Sequence, residues 1–274
     1  MEKQDFKNVA KSEFKGKTLD VVNRQIDDFY ELEKQDFKNA KYKVEKMKEL
    51  VFVTGGNQGE ALALVNALLN KGYNVCVLDK EIDNLKKIVS KNLIYFQVDV
   101  SNESHLNQIK EKLAGFKISA LFLNASDAIF CEAEKNDLKA IEKVYSGNVY
   151  GTILCCSVFY SMLKNDAKIV FLNSRSASQK GIANQTLFCS AKWAIEGFSQ
   201  SIKKACENND IMVYNVYCGG MDTDFWTKKA INMPVKKPKH LIDVNDLAQI
   251  IINNVFNNMD AVVGNIVVER RKNG

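Results

Sequence analysis

A chain of 274 residues, 46% hydrophobic and 26% charged, is long enough to bury one sizeable α/β core. Its net charge of +5 is mostly scattered, with one basic cluster in a loop, which reads as solubility and argues against a nucleic-acid footprint. Seven cysteines with no Cys-x-x-Cys spacing argue against a disulfide framework and a zinc site, and no run reaches the ~18 uninterrupted apolar residues of a membrane span.

Residues 1–48 are charged from the start, contain no proline and show no apolar signal region, which predicts a cytoplasmic protein. The stretch 2–8 returns unchanged at 33–39, and two copies are too few for a repeat fold. From Thr18, a plausible N-cap, apolar residues recur at Leu19, Val22, Ile26, Phe29, Phe37, Ala40, Val44 and Met47, largely at helical steps. This predicts a helical extension over 1–48 whose apolar stripe packs on its own domain or a sister subunit, or engages a protein partner.

From Leu50 the pattern changes to short apolar strands alternating with helices. Strands are predicted over 50–54, 74–78, 93–98, 120–123, 168–172, 212–217 and 265–268. Helices are predicted near 60–71, 81–90, 102–114, 137–164, 186–207 and 244–258. Continuous apolar strands separated by helices imply a parallel sheet covered on both faces, and right-handed crossovers make it doubly wound. The expected fold is a single α/β domain of Rossmann type over 49–274, with about seven strands.

The first predicted strand runs into Thr54-Gly55-Gly56-Asn57-Gln58-Gly59-Glu60-Ala61, which opens a helix. Glycines there permit a tight turn and close approach of backbone to a pyrophosphate, which the helix N-terminus then holds. Asp79 ends the second strand about 20 residues on, where a carboxylate accepts hydrogen bonds from an adenosine ribose. That favours NAD over NADP, although Lys80 could instead meet a 2′-phosphate. His105 and His240 have no neighbouring metal-ligand spacing, so no metal site is expected.

In chain order these segments resemble the short-chain dehydrogenase/reductase family over roughly 49–270. The turn resembles the family's Thr-Gly-x-x-x-Gly-x-Gly, with Thr54, Gly55, Asn57, Gln58, Gly59 and Glu60 placed at the cofactor. Asp99-Val100 resembles the pair that contacts adenine, and Leu123-Asn124-Ala125-Ser126 stands where the family has Asn-Asn-Ala-Gly. Asn148 matches the structural asparagine of the catalytic tetrad, Ser174 the serine that ends its strand, and Lys192 the tetrad lysine. Cys218-Gly219-Gly220-Met221-Asp222-Thr223 resembles Pro-Gly-x-x-x-Thr, whose threonine touches the cofactor. The resemblance implies an NAD(H)-binding oxidoreductase acting on a small carbonyl or alcohol. It also implies a homodimer or homotetramer paired through the helices near 137–164 and 186–207, and a lid over 222–241 that carries Phe225 and Trp226, a segment that reads equally well as an ordinary solvated loop.

The departures from the pattern bear on chemistry. Phe188 stands where the family's tyrosine donates or accepts a proton, a contribution worth ~10²–10⁴-fold in rate. No tyrosine lies between Ser174 and Lys192 to replace it, and Ser176 competes with Ser174 for the serine role. Glu60 adds a carboxylate beside the expected pyrophosphate, Ala61 replaces a glycine, and Ser126 and Cys218 replace a glycine and a proline. Two readings stay open. One is weak or non-standard hydride chemistry with Lys192 on the ribose and Ser174 on the substrate. The other is a silent binding, sensing or scaffold protein, with or without a bound cofactor, that uses residues 1–48.

Overall fold

Short runs dominated by Val, Ile, Leu and Phe form strands buried on both faces, because each face is covered by helices. The computed structural model describes residues 49–175, 181–224, 240–257 and 263–270. The strands are β1 (Glu49–Thr54), β2 (Val75–Asp79), β3 (Leu93–Gln97), β4 (Lys117–Leu123), β5 (Leu163–Ser174), β6 (Met212–Cys218) and β7 (Asn265–Val268). They pair in parallel in the order β3-β2-β1-β4-β5-β6-β7. The order reverses between β1 and β4, the point at which a doubly wound sheet opens a crevice beyond its carboxyl ends. All seven predicted strands are present, and β5 begins earlier than the sequence indicates.

The helices among the described residues are α1 (Gly59–Asn70), α2 (Glu103–Lys112), α3 (Leu138–Tyr145), α4 (Gly151–Phe159), α5 (Thr186–Ala205) and α6 (Val244–Val255). Successive side chains of β1 point to opposite faces. Val51 and Val53 join Leu64, Val65 and Leu68 of α1 and Leu247, Ile251 and Ile252 of α6 in one buried cluster. Phe52 turns the other way and meets Phe159 of α4, ring centroids 4.9 Å apart, while Phe171 of β5 meets Phe198 of α5 at 5.9 Å.

Two predicted helices are corrected. The helix expected near 81–90 is a single 3₁₀ turn, Leu85–Lys87. The Asn57 side-chain oxygen accepts from the backbone N–H of Asn84 (2.9 Å) and Leu85 (3.3 Å), and Asn84 Nδ2 returns a bond to the Asn57 carbonyl (3.0 Å). Those bonds divert the backbone groups a longer helix would use, and Val89 beyond them is fully exposed. The helix expected near 137–164 is broken into α3, a π turn over Ser146–Tyr150, α4 and a 3₁₀ turn over Tyr160–Met162. Asn148 causes the π turn. Its Nδ2 donates to the Val144 carbonyl four residues back (2.7 Å) and to the Asp127 carbonyl (2.6 Å). A side chain that takes the i−4 carbonyl displaces the regular ladder by one residue.

The chain divides into two compact units, Met1–Lys46 and Met47–Gly274. The predicted extension, with its apolar stripe and repeat, lies outside the described residues, as do Ser176, Phe225 and Trp226. No described helix is long and apolar enough to cross a membrane.

Gly151 follows the π turn and lies hard against Val100, with the position of a β-carbon only 2.5 Å from Val100 Cγ2. Gly151→Ala should lower the melting temperature by the equivalent of ~1–3 kcal/mol of overpacking. An unchanged thermal transition would show that the Val100 segment has room to yield.

Candidate active site

The turn between β1 and α1 is fixed from behind. The Thr54 hydroxyl accepts the backbone N–H groups of Asn124 and Ala125, each at 3.0 Å, and donates to the Phe122 carbonyl at 3.5 Å. This binds the turn to the end of β4. Gly55 is required at the junction, because its φ of +70° suits glycine and a β-carbon there would sit 2.8 Å from Ala125 Cα. Asn57 donates its backbone N–H to Asp79 Oδ2 at 2.8 Å, so the turn also holds the end of β2. Glu81 N–H reaches Asp79 Oδ1 at 3.0 Å. Burial pushes the Asp79 carboxyl up, and these backbone N–H groups pull it partly back.

Together these ends bound a cavity of about 1200 Å³ at the carboxyl side of the sheet. Of the sequence-predicted residues, Gly55, Gln58, Gly59, Glu60, Asp79, Val100, Asn124, Ala125, Ser174, Phe188, Lys192, Gly219 and Thr223 line it. Thr54, Asn57, Asp99 and Asn148 do not line it and act as supports. Asp99 is held by Lys80 at 2.9 Å and by Ser101 N–H and Oγ at 2.9 and 2.7 Å. Against the upward push of partial burial, these partners keep its carboxyl below the usual range. Asn148 is buried and accepts the Ser126 hydroxyl at 2.7 Å, so the serine in place of the family's glycine reinforces that asparagine.

Lys192 and Phe188 share one face of α5, four residues apart. The Lys192 ammonium donates to the Leu172 carbonyl at 3.1 Å and sits 5.6 Å from the centre of the Phe188 ring. Burial lowers the Lys192 ammonium to about 8, although Glu60 and Cys218 act to raise it. Phe188 is buried with Ala128 and Phe130, and its ring meets Phe130 edge-on at 6.4 Å. None of the described residues lining the cavity is a tyrosine. Cys218 is no substitute acid near neutral pH, since burial and Glu60 push its thiol up to about 12.

Sequence reasoning missed the group that holds α5 in place. Glu196, one turn beyond Lys192 and buried, accepts from Tyr217 Oη with both oxygens (2.9 and 2.8 Å), from Asn173 Nδ2 (3.1 Å) and from Gln200 Nε2 (2.7 Å). Asn173 Oδ1 in turn accepts the Ser174 N–H at 2.9 Å. The available signal was a carboxylate on the apolar face of the predicted helix, since a charge in that position is buried only with partners. Arg175 and Glu269, paired at 2.9 Å, add a charged rim to the same cavity.

Residues 49–234 match the family model described as short chain dehydrogenase. Among curated relatives, the hydroxynaphthalene reductase-like protein Arp2 of Metarhizium majus is 23% identical over 201 residues, 69% of this chain and 75% of its own. Carbonyl reductase family member 4 of Danio rerio is 26% identical over 189 residues, covering 65% and 78%. An alcohol dehydrogenase from Thermococcus sibiricus, solved with 5-hydroxy-NADP, superposes with a TM-score of 0.71 at 20% identity, covering 82% of this chain and 97% of that one. A Vibrio parahaemolyticus short-chain dehydrogenase/reductase gives 0.70 at 21%, covering 81% and 99%.

The Lys192 environment sets a pH dependence. From about pH 8 up to the ordinary lysine range near ~10.4, the unfolded chain binds a proton that the folded Lys192 has released, so this group's contribution to stability rises with pH. In protein labelled with [ε-¹³C]lysine, one resonance should titrate near pH 8 and disappear in Lys192→Met. A spectrum in which every lysine titrates above pH 10 would contradict the buried, desolvated ammonium.

Proposed function

Because the chain belongs to the short-chain dehydrogenase family, we propose that its cavity binds a nicotinamide adenine dinucleotide, NAD(H) in preference to NADP(H), and acts on a small carbonyl or alcohol with restricted turnover. The observation that carries this reading is the meeting of the Gly55–Gly59 turn, Asp79 and Lys192 around one cavity at the β1/β4 reversal. The fit to the cofactor is good. Gly55 lets the turn close tightly on Ala125, the first residues of α1 line the cavity, and Asp79 lines it as well. In this reading the backbone of the turn holds the pyrophosphate. Asp79 accepts ribose hydroxyls and disfavours a 2′-phosphate, while Lys80 is already engaged by Asp99.

Hydride transfer is the chemistry such a cofactor supplies when bound. The chain's own part is to bind, orient and manage the proton. Lys192 supplies a buried cation at the reacting end of the cavity, with Ser174 beside it on the end of β5. What this site lacks is an ionisable group at Phe188, whose ring contacts Phe130 and the Lys192 ammonium instead. An ordinary carbonyl therefore loses the ~10²–10⁴-fold help of a general acid. The second reading, a dinucleotide-binding protein without turnover, is favoured by the same burial of Phe188 in an apolar cluster.

Saturating NAD(H) should raise the melting temperature by mass action, and NADP(H) should do so less at equal concentration. No shift with either at millimolar concentration would remove the cofactor from this site. Phe188→Tyr should raise carbonyl reduction by at least tenfold on a panel of small substrates if the phenol is the missing element. A variant that binds NADH and stays inactive would favour the silent reading.

A further inference from the structure

Glu60 is the only acidic residue in the first turn of α1, and the N-cap residue Gln58 contributes no side-chain hydrogen bond to that turn. The first backbone N–H groups of a helix have no intrahelical partners and carry partial positive charge. The Glu60 carboxylate is the anion that the chain itself supplies there. Its half-buried side chain lies on the cavity wall, which also carries the Lys192 ammonium. The helix terminus and Lys192, two positive features of a cavity whose lining also includes Lys80, Arg175 and Arg270, are both under the influence of this internal anion. Burial pushes the Glu60 carboxyl up, while its own backbone N–H and the Lys192 charge pull it partly back.

We propose that Glu60 sets both the affinity of this site for the dinucleotide and its preference between oxidation states. This rests on the cofactor reading given above and adds the residue that selects the ligand. A fixed negative charge opposes any dinucleotide, because each carries a pyrophosphate. It opposes the reduced form more, because NAD⁺ carries one positive charge on its ring that NADH lacks. One unit charge removed at such a site is worth on the order of tenfold in binding. The chain is thereby biased toward NAD⁺ and away from NADH, the property that a protein responding to the redox ratio requires.

The test uses the full chain and its Glu60→Gln and Glu60→Asp variants, titrated with NADH by fluorescence and with NAD⁺ by calorimetry. Melting temperatures without cofactor confirm that each is folded. Glu60→Gln, which keeps the shape and removes the charge, should bind NADH on the order of tenfold more tightly and NAD⁺ by a smaller factor. Glu60→Asp, which keeps the charge, should retain the parent's preference between the two forms. Equal dissociation constants for the parent and Glu60→Gln would overturn the inference and leave the cofactor reading standing. An identical gain for both oxidation states would overturn the redox preference. Absence of binding in every protein would overturn the cofactor reading, and this inference with it.

Discussion

The site depends on how α5 is fastened to the end of β5. Two side chains one helical turn apart make the attachment. Lys192 donates to the Leu172 carbonyl, and Glu196 accepts from the side chain of the next residue, Asn173. Both charges are buried, and each is tolerable only because it is partnered. The lysine has a carbonyl and an aromatic face, and the carboxylate has three donor side chains. Ser174 follows directly and is oriented by the Asn173 amide. The lysine ammonium and the backbone of Ser174 are thus held at the end of one strand rather than by separate loops.

The same architecture accommodates a phenylalanine beside the buried lysine. Phe188 does not leave a hole. Its ring packs edge-on to Phe130 and lies beneath the Lys192 ammonium, which recovers packing and some cation–π attraction. None of the described residues lining the cavity carries a phenol. In the same cavity, Glu60 places a carboxyl group in the first turn of α1.

Much of the fold was legible because its signals are local and repeated. Each strand is an apolar run, and each long helix has a face that recurs every three or four residues. The helix predicted near 81–90 failed because the Asn57 amide claims the backbone of Asn84 and Leu85 from 27 and 28 positions away, and Val89 beyond them is fully exposed. The unbroken helix predicted near 137–164 failed for a similar reason. One asparagine competes for a backbone carbonyl, and composition gives no sign of where that amide points. Asn57 and Thr54 were readable as members of the glycine turn, yet they do not line the cavity themselves: their hydrogen bonds run to Asp79, Asn84, Asn124 and Ala125, which do.

By itself, the order of residues determined a parallel α/β sheet, a glycine turn between its first strand and helix, and a family likeness ending in a phenylalanine where an acid is expected. Those properties follow from periodicity and short-range spacing, which a linear chain carries explicitly. Only the folded chain decided that Asp99 is tied to Lys80, that Glu196 secures the end of β5, and that Glu60 shares a cavity with Lys192. These pairings join residues from different crossovers of the sheet. Their energies depend on burial and on a few ångströms of separation, and neither is set until the strands are in register.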